Sequence, residues 1–411
     1  MNKRYFLTII TFMGKSNKIK VAIQFILLVG FVVALSLIST TGWRDKPEKI
    51  PRPQSLLYQN DMTLTEFAQK NSLPNPVLKN IFHFETKQDL QKKLSDFNLS
   101  HEEISLRINK ELALYAENES KNWIKILIKF SLWIVFLLVV FNLLRKARIN
   151  PKVRKILYLV AIILFGIIMG SDPNPMVPVK DTITLLGVKG VIFPPRIIAL
   201  TIFLIMAFIA NKFICSWGCH LGTFQDLIFR FNRNPKDTKN IIKQYKLPFI
   251  VSNSIRIGFF VIFILIAFLW AYDIIEIIDP FKVFKPAKLG IVGGVFIGGV
   301  FLASLFVYRP WCHLFCPFGL VGWFVEKVAV FKINVNYETC KACETCARVC
   351  PSTAMDAILK QKKVIPDCFA CGSCIDICPT DSIKFQAGKR NVPPVDKFRD
   401  KKVGKNKGKG V

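Results

Sequence analysis

Six runs of apolar residues, separated by polar and charged segments, divide the chain: 21–40, 124–144, 156–170, 197–214, 257–272 and 289–308. A helix needs about 20 residues to cross the hydrocarbon of a bilayer, so the pattern predicts about six transmembrane helices. The runs 156–170 and 257–272 are short unless flanking residues join them. Between the first two runs lies a polar insert in which "TLTEFAQKNSLPNPVLKNIF" is echoed 26 positions later by "DLQKKLSDFNLSHEEISLRI", with Leu64, Ala68 and Leu73 matching Leu90, Leu94 and Leu99. The echo predicts two short helix-turn-helix units in tandem. Ser100 with Glu103 fits a capping box at a helix start.

Charge orients the runs. Residues 1–20 hold five basic residues and no acid, 145–155 six and none, and 230–246 six against one. Lysine and arginine collect on the cytoplasmic side of a membrane, so these segments are assigned inside. The segments 41–121, 171–195 and 273–288 are close to balanced and are assigned outside. The two sets alternate without conflict, which predicts a multi-pass protein of the bacterial cytoplasmic (inner) membrane with both termini in the cytoplasm. A net charge of +29 could otherwise point to nucleic acid; its distribution in short clusters between apolar runs makes it a topology signal and excludes that partner. No small-residue cleavage site follows the first run, which reads as a retained anchor. The basic stretch 388–411 reads as a disordered tail near anionic lipid.

The chemistry lies in twelve cysteines. Residues 340–351, "CKACETCARVCP", and 368–379, "CFACGSCIDICP", each follow C-x2-C-x2-C-x3-C-P. In this spacing one loop supplies three thiolates to a cubane cluster and the fourth cysteine reaches across to the other. The rule groups Cys340, Cys343, Cys346 and Cys378 around one [4Fe–4S] cluster, and Cys350, Cys368, Cys371 and Cys374 around a second. Zinc sites instead pair two C-x2-C knuckles. Residues 336–386 resemble the bacterial-type two-cluster ferredoxin fold, a small α+β unit, which implies passage of single electrons in a reducing compartment.

The other four cysteines stand in "CSWGCHLG", residues 215–222, and "CHLFCPFG", residues 312–319. Both motifs place cysteines four apart with a glycine three places after the second, and each closes an apolar hairpin, so the pair reads as an internal duplication. On a continuous helix, positions i and i+4 share a face, and two such pairs on one side of the membrane would converge into a four-thiol site of Cys215, Cys219, Cys312 and Cys316. Such a site would be a third metal centre or a redox thiol couple; the alternative is that these are small packing residues at helix ends. His220 and His313 could ligate metal or accept a quinol proton, or be interfacial polar residues. The c-type haem signature is absent.

Two C-x3-C hairpins followed by a two-cluster ferredoxin resemble, over residues 150–386, the NapH/NosR group of membrane polyferredoxins. Family members have proline after the second cysteine; Pro317 fits, whereas His220 stands there in the first copy. The resemblance implies electron transfer between the quinone pool and a respiratory reductase or other redox partner. The NosR-like branch adds a large exported flavin domain and the CcoG-like branch, associated with copper reduction during oxidase assembly, a further β-domain; neither is seen here, which favours the NapH-like role. The alternative is an assembly factor that reduces or handles copper or another metal through the C-x3-C thiols. No nicotinamide loop, nucleophile triad or acid pair is present, so a relay, or a component of a quinol dehydrogenase, fits better than an enzyme with its own substrate pocket. The expected organisation is an anchor at 1–40, an exported helical domain at 41–122, a transmembrane core at 123–333, a ferredoxin domain at 334–387 and the tail.

Overall fold

A computed structural model of the chain describes residues 3–42, 56–59, 61–84, 86–97, 99–119, 122–395 and 397–398. Most of the basic tail and part of the insert's linker to the first helix lie outside these residues. The described residues are mainly helical, and among them three helices are long and apolar enough to cross a membrane: Asn17–Thr40 within the longer helix Lys3–Gly42, Trp123–Arg145, and Phe249–Leu269. Two further apolar helices are shorter, Pro194–Ala210 and Ile291–Ala303. At 1.5 Å per residue the 13 residues of Ile291–Ala303 rise only about 20 Å, short of a hydrocarbon core of about 30 Å.

The departures of these helices from the apolar runs have local causes. The run 289–308 is cut after Ala303, where Ser304 bonds back to the Val300 carbonyl through both its amide and its hydroxyl and the chain turns. The run 156–170 begins earlier, at Pro151, capped by Asn150, and passes through Ala161 into a π-helical segment, Ile162–Ile168. The run 257–272 also starts upstream, at Phe249, with Pro248 at the N-cap. Large apolar side chains stay exposed along these helices, among them Ile250, Leu269, Ile291 and Val295, a surface compatible with membrane lipid.

The duplication is visible in the elements. Helices starting at Pro194, Phe213 and His220 recur at Ile291, Pro310 and Pro317, each 97 positions on. Two basic segments, 145–155 and 230–246, meet the C-terminal unit: Arg154, Arg233 and Lys246 bond carbonyls of Cys371, Val349 and Ala347 there. At the opposite end Lys180 pairs with Asp273 and Glu276, joining the loops around 171–195 and 273–288.

The insert has an apolar core of its own, with Leu64, Phe67, Val77, Leu78, Ile104 and Ile108 buried in it. Its first half is the expected helix-turn-helix, Leu64–Lys70 and Asn75–Phe82, opened by a capping box of Thr63 and Glu66 that the sequence pattern had not singled out. In the second half the first helix is replaced by two 3-10 turns, Lys87–Gln91 and Leu94–Phe97. Asp89 and Asp96 accept the Thr86 and Lys93 amides and restart the turn within a few residues. The helix His101–Glu119 then begins 26 positions after Asn75, and Ser100 accepts the Glu103 amide.

The C-terminal unit opens with strand β1, Phe331–Val335, paired antiparallel with β2, Ile383–Ala387. Between them run the short helices Thr345–Val349, Ala354–Leu359 and Ser373–Asp376. One apolar core continues from Trp133 and Phe213 in the helical part to Phe369 and Phe385 in this unit.

Candidate metal centres

The eight ferredoxin-type cysteines separate into the two crossed sets. One cavity is lined by Cys340, Cys343, Cys346 and Cys378 with Leu359 and Ile383. The other is lined by Cys350, Cys368, Cys371 and Cys374 with Tyr308, Met355 and Phe369. The loops that carry them repeat a backbone device: Ala342 and Glu344, then Ala370 and Gly372, adopt positive φ. Left-handed residues of this kind turn successive amides inward into an anion-accepting nest. Burial pushes the Cys346 and Cys368 thiols up to about 12, so they need bound metal to exist as thiolates. Cys343 is exposed, and a hydrogen bond from Thr345 lowers its thiol.

Hydroxyls also lie near the sulfurs, Ser352 at 3.7 Å from Cys350 and Ser373 at 3.5 Å from Cys371, where they would tune a cluster's potential. Among the described residues, no group of three or more His, Cys, Asp or Glu is placed to hold a single metal ion. Four thiols spread around one cavity suit a multi-iron cluster instead, with its larger girth. The donor sets fit two [4Fe–4S] clusters.

The C-x3-C cysteines are all buried and lie within electrostatic reach of one another. They do not share a helix face. Cys215 sits on Phe213–Trp217, the chain breaks at Gly218, and Cys219 caps the next helix, His220–Phe231, taking the Gly222 amide on its sulfur at 3.5 Å. The second copy repeats this: Cys312 is on Pro310–Leu314, and Cys316 caps Pro317–Glu326 and takes the Gly319 amide at 3.4 Å. The glycine of each motif is required by close approach. A Cβ at Gly222 would stand 2.5 Å from the Cys215 carbonyl oxygen, and one at Gly319 2.6 Å from that of Cys312.

Buried cations brace the two copies crosswise. Arg309 donates to the Cys215 carbonyl at 2.6 Å, while Lys212 donates to the Gly319 carbonyl at 2.6 Å. Both occupy the position three before the first cysteine of their motif, so extending the alignment of the copies upstream would have found them. Arg309 is neutralised by Asp226 at 2.8 Å. Lys212 pairs with Asp367, which precedes Cys368 in the ferredoxin unit.

His220 turns away from the sulfurs: its Nε2 is 2.9 Å from the Ser171 hydroxyl, and its ring packs on Phe281 and Phe284. His313 faces the ferredoxin unit, 3.8 Å from Asp367 and packed on Phe369. The contact between helical part and ferredoxin unit centres on the loop of the second cysteine set. Asn211, Trp217 and Arg154 donate to the carbonyls of Cys368, Ala370 and Cys371 at 2.8, 3.2 and 3.0 Å, and Glu326 accepts the Cys368 amide at 3.0 Å. Phe369 is inserted between Lys212 and Arg309, 5.3 and 4.9 Å from its ring centre. Thus the set with Cys368 lies against the C-x3-C motifs and the set with Cys343 opens to solvent.

Residues 332–379 match the family described as 4Fe-4S dicluster domain, and residues 192–236 and 289–336 each match the family described as 4Fe-4S binding domain. The chain is 28% identical over 163 residues to YccM of Escherichia coli (strain K12), described as a "putative electron transport protein", an alignment covering 37% of this chain and 45% of YccM. It is 24% identical over 244 residues to the uncharacterized protein MJ0749 of Methanocaldococcus jannaschii, covering 55% of this chain and 81% of the relative. The chain thus spans under half the length of YccM. No solved structure matches it. The matches give the chain 4Fe–4S-binding domains at both the ferredoxin unit and the duplicated hairpins.

Proposed function

We propose that the chain is a membrane-bound, NapH-like relay that carries electrons between the quinone pool and a respiratory reductase or other redox partner. The observation that carries this reading is the seating of the Cys368–Cys374 loop on Asn211, Trp217 and Arg154, which holds one cysteine set against the C-x3-C motifs while Cys343 faces solvent. In this reading two [4Fe–4S] clusters occupy the ferredoxin unit, and Cys215, Cys219, Cys312 and Cys316 hold a third iron–sulfur centre, in keeping with the family matched by both hairpins. Bound clusters supply one-electron transfer; the chain supplies thiolates, nest amides, buried cations and exclusion of water. The ferredoxin unit and both termini face the cytoplasm of a bacterial inner membrane, and the insert is exported.

The test is quinol-driven reduction of the purified, cluster-loaded protein, followed by visible bleaching and paramagnetic resonance. Reduction by a short-chain menaquinol or ubiquinol supports the relay; clusters that respond to dithionite and to neither quinol overturn it. The alternative, copper handling at the C-x3-C thiols, predicts bound copper that is lost when those four cysteines alone are replaced.

A further inference from the structure

A cavity of about 310 Å³ lies at the end of the molecule away from the ferredoxin unit. Its walls come from one face of helix Trp123–Arg145, contributing Trp123, Lys129 and Phe130, and one face of Pro194–Ala210, contributing Ala199 and Phe203. The loop after the π-helical segment closes it with Asp172, whose carboxylate is 3.0 Å from the Lys129 ammonium. Lys129 is otherwise buried and is further held by the Met169 carbonyl. A volume near 300 Å³, mostly apolar and aromatic walls, and a few convergent polar groups describe a small-molecule site.

The position of the cavity narrows the ligand. Its wall residue Phe203 packs edge-on against Trp133 at 5.4 Å and against Phe318 at 6.2 Å. Trp133 donates to the carbonyl of Gly218, between Cys215 and Cys219, at 2.9 Å, and lies so close that a Cβ at Gly218 would meet its ring at 2.7 Å. Phe318 stands two residues after Cys316. The cavity is therefore separated from both C-x3-C motifs by a single layer of aromatic rings. Trp123, half exposed at the start of its helix, marks the kind of interfacial position where tryptophan sits in membranes. Of the charged groups lining the cavity, Lys129 is paired with Asp172 and Arg196 with Asp181, and Lys285 adds a third cation. A flat ring bearing hydroxyl or carbonyl oxygens can donate to the Asp172 carboxylate or accept from Lys129. A phosphate, which these cations would also attract, is the competing ligand that the experiment separates.

We infer that this cavity binds the head group of a membrane quinone or quinol, with the Lys129–Asp172 pair at its polar edge and Phe203 at the wall nearest the cysteines. The inference rests on the relay reading for the class of ligand and goes beyond it in assigning the site.

The experiment uses the full chain, cluster-loaded in nanodiscs, and the fluorescent quinone mimic heptyl-hydroxyquinoline N-oxide, whose emission is quenched on binding. Ala199→Trp fills the cavity and Lys129→Leu removes its ammonium; each is expected to weaken binding by about tenfold or more, with dithionite-reduced cluster spectra like those of the wild type. If Ala199→Trp fails to fold, as cluster loss would reveal, Lys129→Leu decides alone. Unchanged binding in correctly loaded variants overturns the site. So does a wild type that ignores the mimic but retains a co-purified phospholipid that Lys129→Leu releases. If the variants lose the mimic while quinol still fails to reduce wild-type clusters, the site stands and the relay reading falls. If quinol reduces the clusters equally in wild type and variants, the relay stands and this site falls.

Discussion

Asp367 and Arg256 form an ion pair of 3.1 Å in which each side chain is 1% exposed, although one belongs to the ferredoxin unit and the other to helix Phe249–Leu269. Lys212 closes on the other carboxylate oxygen, and His313 lies 3.8 Å away. The cysteine loop beginning at Cys368 is thereby anchored on a carboxylate held between two cations. Burial opposes ionisation of Asp367, but Lys212 and Arg256 outweigh it and hold the carboxyl down to about 2.

Asp367→Asn is expected to release this anchorage. Removing one partner of a buried ionic group strands the others, at a cost of roughly 3–5 kcal/mol; here Lys212 and Arg256 would be stranded. The measurement is protease cleavage of the segment joining the ferredoxin unit to the helices, which should become rapid in the variant. Because the folded value lies below the ordinary 3.8, the ion pair's contribution is full above that value and is lost only as pH falls toward 2. Wild-type protection should therefore persist at pH 5.

The glycines of the two motifs make a paired prediction. Gly222→Ala and Gly319→Ala each drive a methyl to within 2.6 Å of a backbone oxygen, and each should cost about 1–3 kcal/mol. Gly258 and Gly298 have open space around the same added atom, and alanine there should be neutral or stabilising by up to about 1 kcal/mol. Thermal unfolding of the four variants, followed by tryptophan fluorescence, checks both the clash and its equality in the two copies.

Cysteine replacements should act in three separable groups. Cys343→Ala should remove the signal of the solvent-side set alone, and Cys371→Ala that of the set beneath Phe369. Replacing Cys215 and Cys312 together should remove about a third of the bound iron, on the proposal of three four-iron clusters, and leave both ferredoxin signals. Iron analysis with paramagnetic resonance of the reduced protein decides it; unchanged iron in the last variant would leave the C-x3-C cysteines as packing residues.

The spacing of Cys340 to Cys378 suggests two sets of four thiols, because a short loop has few ways to aim three sulfurs at one point, and each of two cavities is lined by one of those sets. The duplication was equally legible from Cys215 and Cys312 with Gly222 and Gly319. The helix lengths were not, since hydropathy records that 289–308 is apolar and not that Ser304 ends the helix inside it. The shared helix face failed at Gly218 and Phe315, where each motif breaks so that its second cysteine can cap. Lys212 is marked by the alignment of the two copies, but Arg256, Asp226 and Asp367 carry no such signal because their meaning is pairwise: a charge is tolerable in such a core only beside its opposite, and Asp367 lies 155 residues from Lys212.

Asp279 offers a pH test at the other end of the molecule. It accepts the Phe281 amide at 3.0 Å to cap Pro280–Phe284, yet it is only 8% exposed. Burial pushes its carboxyl up to about 6, against the pull of Lys180 and of the Phe281 amide. The fold therefore takes up a proton that the unfolded chain has already lost between pH 3.8 and about 6, and stability falls as pH rises through that window. Above it, the ionised side chain costs on the order of 1–3 kcal/mol. Asparagine keeps an oxygen for the cap and carries no charge, so Asp279→Asn should unfold at higher temperature than the wild type at pH 7.5 and show little or no advantage at pH 4.5. Unfolding temperatures of both proteins at the two pH values in one detergent check this; an equal gain at both would place the benefit in packing and not in charge.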